Sequence, residues 1–356
     1  MKLILFCIYF LLSIAALAAQ TREFKIVLLG DAGNFAYETP INNTIKSLLD
    51  TTPYSACVLL GDNIYFKGYL NNNSKDSKIE AEKMLVQLRM ADDYKGYFYV
   101  IPGNHDWRAQ KWNGYSAIKD EAALVEDYLL KNTYIANRQQ SFFPTDALPG
   151  PSFVDIDHTI RLIFLDTQWF LQKQFFHKVG KQNGHSQRDE KKYFYQKLDS
   201  LLKDAQNTQR QCIIMAHHPL ITSGAQNRVS GFTRFLINYT PLQLIGIVGL
   251  NRLLTQDIEQ PRHRRMVENI KNTIEKYKNT VYASGHEHLL CYKQDKTNHY
   301  IISGAGSKKV KTNRPENEQD FFKKDVIGFA VLTIGEQKFK LQFYDEKGIE
   351  LYQTQW

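Results

Sequence analysis

The sequence predicts an α/β protein organised around a parallel β-sheet. Three observations predict it. Short apolar runs recur from Phe24 onward, polar stretches with helical spacing separate them, and the first three runs each end on a glycine followed by a metal-capable side chain. A β-α-β-α-β order implies parallel strands joined by right-handed crossovers.

The first run, Lys25 to Leu29, ends at Gly30-Asp31, and Thr39 to Asp50 follows with a helical pattern. The second, Ala56 to Leu60, ends at Gly61-Asp62. Ser77 to Met90 is the next expected helix, with Ile79, Met84, Leu85 and Leu88 on one face. The third run, Tyr97 to Ile101, ends at Pro102-Gly103-Asn104-His105. Further strands are expected over Ser152 to Ile156, Thr159 to Asp166, Gln211 to Ala216, Thr280 to Ser284 and His299 to Ser303. Phe329 to Ile334 and Phe339 to Tyr344 read as a closing hairpin around Gly335. Helical patterns also cover Asp189 to Asp204 and Met266 to Lys278. Residues 221–265 have no clean period and read as an insertion or a lid over the site. No linker divides the chain, so residues 20–356 are expected to form one domain.

Residues 1–19 read differently. Lys2 is their only charge, an apolar run follows from Leu3, and the segment ends in small residues. This is the pattern of a cleaved secretory signal, with Ala16-Leu17-Ala18 as the best cleavage site. The run falls short of the roughly 20 apolar residues of a comfortable span. An exported protein is therefore expected, in a periplasm, at a cell surface or in a lysosome-like compartment, with no stable membrane span once the signal is removed. Asn42, Asn72 and Asn238 begin N-x-[ST] sequons, which matter only in a host that glycosylates exported chains.

The chain has 356 residues, 43% of them hydrophobic, which is ample for a core. The formal charge is +8, one unit of it from Lys2, and a basic surface attracts anionic substrates. Arg262-His263-Arg264-Arg265 and Lys308-Lys309-Val310-Lys311 read as solvated loops, and nucleic acid is not an expected partner. Beyond Cys7, the three cysteines Cys57, Cys212 and Cys291 sit in or beside strand-like runs. An odd, irregular set is not a disulfide framework and has no zinc C-x-x-C spacing, so buried thiols are expected.

The chemistry lies in where the polar residues fall. Ligands of open α/β sheets bind beyond the carboxyl ends of the strands. Asp31, Asp62 and Asn104 should therefore converge on one crevice. Later strands end in Ala216-His217-His218-Pro219 and Gly285-His286-Glu287-His288 and deliver imidazoles to the same edge. Taken singly, a Gly-Asp is usually a turn and a histidine usually a packed core or surface group. The ordered set is far more specific. Oxygen donors from Asp, Asn and Tyr with imidazole nitrogen and no thiolate suit iron, manganese or zinc. A carboxylate such as Asp62 can bridge two cations, and two cations can together hold a phosphoryl group and activate water.

Gly30-Asp31-Ala32-Gly33, Gly61-Asp62-Asn63, Gly103-Asn104-His105-Asp106, Ala216-His217-His218-Pro219 and Gly285-His286-Glu287-His288 together resemble the calcineurin-like metallophosphoesterases. The resemblance spans Glu23 to about Tyr344. Gly61-Asp62-Asn63-Ile64-Tyr65 and Ser303-Gly304-Ala305-Gly306 look like the purple acid phosphatases, in particular the small, mammalian-type tartrate-resistant members. The fold this implies is a four-layer α/β/β/α sandwich with two mixed β-sheets.

The resemblance also implies roles. Asp31, Tyr65 and His288 would hold Fe(III), Asp62 would bridge, and Asn104, His217 and His286 would hold a divalent ion (Fe, Zn or Mn). His105 would contact the phosphate and protonate the leaving oxygen, with Asn104 as a second substrate contact. A water or hydroxide on the metals would attack phosphorus in line. The implied activity is secreted acid phosphatase action on phosphate monoesters. One position departs: these enzymes usually carry another substrate-contacting histidine after the fourth motif, and here Gln226 stands where it would be sought. Two other readings stay open at this point. One is a manganese or zinc phosphodiesterase or nucleotide phosphatase of the same superfamily. The other is a non-catalytic phosphate-binding or surface recognition protein.

Overall fold

The computed structural model describes residues 23–109, 111–172, 181–182, 185–221, 261–309, 320–335 and 338–356. The leader, most of the expected lid and Gln226 therefore lie outside the described residues. The main elements, in chain order, are β1 (Phe24–Leu29), α1 (Pro40–Asp50), β2 (Ser55–Leu59), α2 (Lys75–Leu88), β3 (Tyr97–Val100), α3 (Gly114–Asn132), β4 (Ser152–Asp155), β5 (Ile160–Leu165), α4 (Gln187–Asn207), β6 (Gln211–Ala216), α5 (Pro261–Ile274), β7 (Val281–Ser284), β8 (Leu290–Asp295), β9 (Asn298–Ser303), β10 (Asp320–Lys324), β11 (Gly328–Ile334), β12 (Phe339–Asp345) and β13 (Glu350–Gln355).

They build two mixed sheets, in the orders β13-β12-β11-β1-β2-β3 and β10-β8-β9-β7-β6-β5-β4. In the first, β1, β2 and β3 run parallel, and β11 closes against β1 antiparallel. In the second, β5, β6, β7 and β9 run parallel. β11 and β12 form the expected hairpin around Gly335.

Strand periodicity sorts the side chains into layers. Phe24, Ile26 and Leu28 of β1 face Leu162, Phe164, Ile213 and Met215 of the other sheet and form the core between the sheets. Their alternates Val27 and Leu29 pack outward with Ile41, Ile45 and Leu49 of α1. On the far side Ile163, Leu165 and Ile214 pack with Phe194 and Leu198 of α4 and Met266 and Ile270 of α5. Helix, sheet, sheet and helix thus form four layers, because every central strand buries both faces.

Local sequence fixes the helix starts. Ser74 caps α2 by accepting the Ser77 N–H, and Ser186 caps α4 by accepting that of Asp189. Asn42 is buried, and its Oδ1 accepts from Thr39, so this sequon is part of a helix cap rather than an open attachment site. Within α2, Met84 and Leu88 are buried as expected, but Ile79 is 43% exposed, and Ser77 and Gln87 take places on the buried side. Cys57, Cys212 and Cys291 are free and buried, as expected. No described helix is long and apolar enough to cross a membrane.

Candidate metal centre

All seven predicted ligands meet where the carboxyl ends of the two sheets converge. β1, β2 and β3 supply Asp31, Asp62 with Tyr65, and Asn104; β6 and β7 of the second sheet supply His217 and the His286–His288 pair. The approach is tight. A Cβ on Gly103 would lie 2.3 Å from the Asp62 nitrogen, and one on Gly61, whose φ is +88°, would lie 2.7 Å from His217 Nδ1. Only glycine fits there. Asp31, Asp62 and His286 themselves adopt left-handed backbone, with φ of 59°, 54° and 68°. That conformation is disfavoured for side chains with a Cβ and is characteristic of functional sites.

The donors form two triangles. In the first, Tyr65 Oη lies 2.7 Å from Asp31 Oδ1 and 3.0 Å from His288 Nε2, and the third edge, His288 Nε2 to Asp31 Oδ1, is 3.4 Å. In the second, Asn104 Oδ1 lies 3.0 Å from His217 Nε2 and 2.9 Å from His286 Nδ1, and the two imidazole nitrogens are 3.2 Å apart. Asp62 stands beside both: its Oδ1 is 3.4 Å from His217 Nε2, and single donor atoms of Asp31, Asp62 and His217 all lie within 4.8 Å of one another. Two donors about 2.1 Å from one ion and at right angles to each other lie about 3.0 Å apart. The triangle edges and the O,O,N and O,N,N donor sets therefore fit one metal ion per triangle, with Asp62 placed to bridge.

Surrounding groups fix the ligands. The His217 Nδ1 is 2.9 Å from the Leu60 carbonyl, which directs an Nδ1–H outward and leaves Nε2 to the site. Asp31 Oδ2 accepts the His286 N–H across the two sheets, and Asp62 Oδ1 accepts that of His105. Asp106 accepts the backbone N–H groups of Gly103, Ile64 and Asn63, tying the second and third motif loops together.

The cage is electrostatically negative. Burial, then the carboxylates of Asp31 and Asp62, push the Tyr65 phenol well above its ordinary range. A phenolate at this position therefore needs a neighbouring cation. At His217 burial disfavours the imidazolium, but Asp62 and Asp31 outweigh it and hold the group above its usual value. His286, buried and facing His217, is held well below.

His105 sits at the mouth. Its Nδ1 is 3.1 Å from the Phe66 carbonyl, its Nε2 is 3.9 Å from Asp62 Oδ2, and its ring meets the Tyr65 ring edge-on at 4.5 Å. His218 does not join either triangle; its Nδ1 pairs with Thr167 Oγ1 at 2.8 Å. Among the other histidines, His299 is buried and stacked on Trp356, and His263 is buried beside His218. Two expectations are corrected: Arg262-His263-Arg264-Arg265 lie in helix α5 with His263 buried rather than in a solvated loop, and Lys308 is not a solvated loop residue, because its ammonium lies over the Tyr65 ring.

Sequence reasoning missed two buried carboxyls behind the site. Glu121 on α3 accepts from Asn63 Nδ2, and burial, then Asp106, raise it well above the carboxylate range. Asp166 follows β5 and accepts from Trp107 Nε1, and burial pushes it up to about 7. For Asp166 a signal existed: it ends a parallel strand just as Asp31 and Asp62 do. A separate cleft of about 650 Å³ opens at the opposite ends of β6 and β7, beside Gln211, Thr280, His299 and Trp356, and contains none of the seven ligands.

A phosphoesterase class is defined by this sandwich and its paired donor triangles, and the family comparison agrees. Residues 24–290 match the calcineurin-like phosphoesterase family, and the chain belongs to it. No curated protein matches the chain. Among solved structures it is similar to GAP50, "the anchor in the inner membrane complex of Plasmodium", with 18% identity, TM-score 0.58, and coverage of 93% of this chain and 88% of that one. It is similar to the purple acid phosphatase PPD1 of yellow lupin (Lupinus luteus) seeds at 15% identity and TM-score 0.57, covering 94% of this chain but 54% of the lupin chain. PhoD aligns at 11% identity and TM-score 0.51, over 94% of this chain and 73% of that one. At these identities the likeness is one of fold.

Proposed function

We propose that the chain is an exported acid phosphatase that hydrolyses phosphate monoesters at a binuclear centre of Fe(III) and a divalent ion, in the manner of the purple acid phosphatases. The pair of donor triangles, one containing a tyrosine, carries this reading. Asp31, Tyr65 and His288 would hold the ferric ion, Asn104, His217 and His286 the divalent ion, and Asp62 both. When bound, such ions neutralise phosphoryl charge and make water more acidic.

The chain's own groups do the remaining work. Asn104 turns Oδ1 to the imidazoles, so Nδ2 is the donor left for a phosphoryl oxygen. The Phe66 carbonyl holds the His105 ring by Nδ1, which leaves Nε2 at the mouth to carry a proton to the leaving oxygen. The left-handed turns at Asp31 and Asp62 fix these groups before substrate arrives, so little reorganisation is needed. The signal-like leader supports export, and no membrane span follows it among the described helices.

The test is a paired assay of an aryl phosphate monoester and the corresponding diester at acid pH. The monoester should be the better substrate, and Asp62→Asn should cut its turnover on the order of 1,000-fold. Preference for the diester by an iron-free protein would point instead to a manganese or zinc phosphodiesterase. A non-catalytic recognition role has support from the fold it shares with the anchor protein GAP50. The complete ligand set weighs against it, and an Asp62→Asn protein with intact biological function would favour it.

A further inference from the structure

The Gly304–Ser307 turn is pinned to the first ligand loop. Gly30 N–H donates to the Ser303 carbonyl, Gly306 N–H to the Gly30 carbonyl, and Ser307 Oγ–H to the Asp31 carbonyl at 2.6 Å. A Cβ on Gly304 would lie 2.9 Å from Asp31 Oδ2, so this turn runs against the ligand itself. The next residue is Lys308. Its position is therefore set by the same backbone that sets Asp31.

The Lys308 ammonium sits 3.2 Å from the centroid of the Tyr65 ring and 4.3 Å from that of Phe66. Two aromatic faces hold it by cation–π attraction. Phe66 is 63% exposed, so this end of the pair opens to solvent. His105 packs on the same two rings, 4.5 Å from Tyr65 and 6.0 Å from Phe66. An imidazole and an ammonium thus share one aromatic platform at the mouth. Burial holds the Lys308 ammonium below its ordinary range, and Asp62 and Asp31 offset part of that through space. Among the described residues it makes no ion pair, so its three N–H donors are available to an anion that enters the mouth.

We propose that Lys308 is a substrate-binding residue, whose ammonium grips a non-bridging oxygen of the phosphoryl group and favours dianionic monoesters over monoanionic diesters. The assignment rests on the phosphatase reading above. It supplies a cation at the mouth of a site whose expected second histidine is absent from the fourth motif. A lysine gives charge without acting as the leaving-group acid, so proton delivery stays with His105. The ammonium contributes mainly to ground-state binding, and its loss should raise KM more than it lowers kcat.

The experiment titrates inorganic phosphate into the metal-loaded wild type, Lys308→Gln and Lys308→Arg by calorimetry, alongside monoester and diester kinetics on the same samples. Lys308→Gln should weaken phosphate binding about tenfold, the loss expected for one hydrogen bond to a charged group. It should raise the monoester KM by a similar factor and leave the diester nearly unchanged, and Lys308→Arg should restore most of the affinity. If the wild type hydrolyses monoesters and Lys308→Gln binds phosphate as tightly as it does, the lysine assignment is wrong and the phosphatase reading stands. If the wild type binds phosphate without hydrolysing any ester and Lys308→Gln binds it weakly, the catalytic reading fails and Lys308 stands as a phosphate-binding residue only. A wild type that neither binds phosphate nor turns over overturns both.

Discussion

The two donor triangles have nearly the same size and opposite character. The first combines the carboxylate of Asp31, the phenol of Tyr65 and one imidazole; the second combines the neutral amide of Asn104 with two imidazoles. Distances alone would not tell them apart. Charge does: the first can offer two anionic oxygens and suits a hard trivalent ion, while the second offers none and suits a divalent one. The sequence places this asymmetry in residues that each follow a strand end, so similar backbone frames deliver different chemistry.

Asp62→Asn should have the largest effect, because Asp62 stands beside both triangles without being a corner of either. Metal content should fall at both sites, and monoester turnover should drop on the order of 1,000-fold, comparable to losing a principal electrostatic contact in the transition state. Metal analysis and steady-state kinetics on one preparation check this. Loss of only one ion would show that Asp62 belongs to a single triangle.

Tyr65→Phe should act on the first triangle alone. Iron affinity is expected to fall about 10–100-fold or more, any visible band from phenolate-to-iron charge transfer should vanish, and the divalent ion should remain. Asn104→Asp makes the opposite change by placing a carboxylate in the second triangle. It should blunt the distinction between the two sites, raising iron uptake at the second one, and slow turnover about tenfold through loss of the amide donor.

A smaller effect is expected behind the site. Burial, and then Asp106, hold Glu121 well above the carboxylate range and disfavour its charged form, so the neutral isostere Glu121→Gln should be nearly silent. Glu121→Leu removes one acceptor of the Asn63 amide, leaving it the Ile101 carbonyl and the longer contact to Asp106, and should cost about 1 kcal/mol of stability, read by denaturant unfolding.

The smallest effect on the comparison comes from His299, which is remote from both triangles. Burial lowers it from 6.5 to about 4. The unfolded chain then takes up a proton that the fold refuses, so stability is full above about 6.5, falls as pH drops toward about 4, and changes no further through this group below that. His299→Gln should flatten the melting temperature over this window without altering metal content.

Much of this was legible in the residues. The candidate metal ligands fall at the ends of apolar runs, and in an α/β sheet that position alone predicts convergence. The parallel order β1, β2, β3 and the hairpin of β11 with β12 were legible for the same reason. Helix α3 was not, because Glu121, a carboxyl, occupies its buried face and interrupts the apolar stripe. Strand β13 was missed because Glu350 to Gln355 is a polar edge with no fully buried residue. Lys308 read as one charge among several, since only the folded turn shows that its neighbour Ser307 is tied to Asp31.

The most direct test of the paired-triangle account is metal analysis with a visible spectrum on a single purified sample, wild type beside Tyr65→Phe. Two ions per chain, one of them iron, with a violet absorption present in the wild type and missing from the variant, is the expected result. A wild type that holds a single ion or none after loading with iron and zinc, or a variant that keeps the colour, would contradict it.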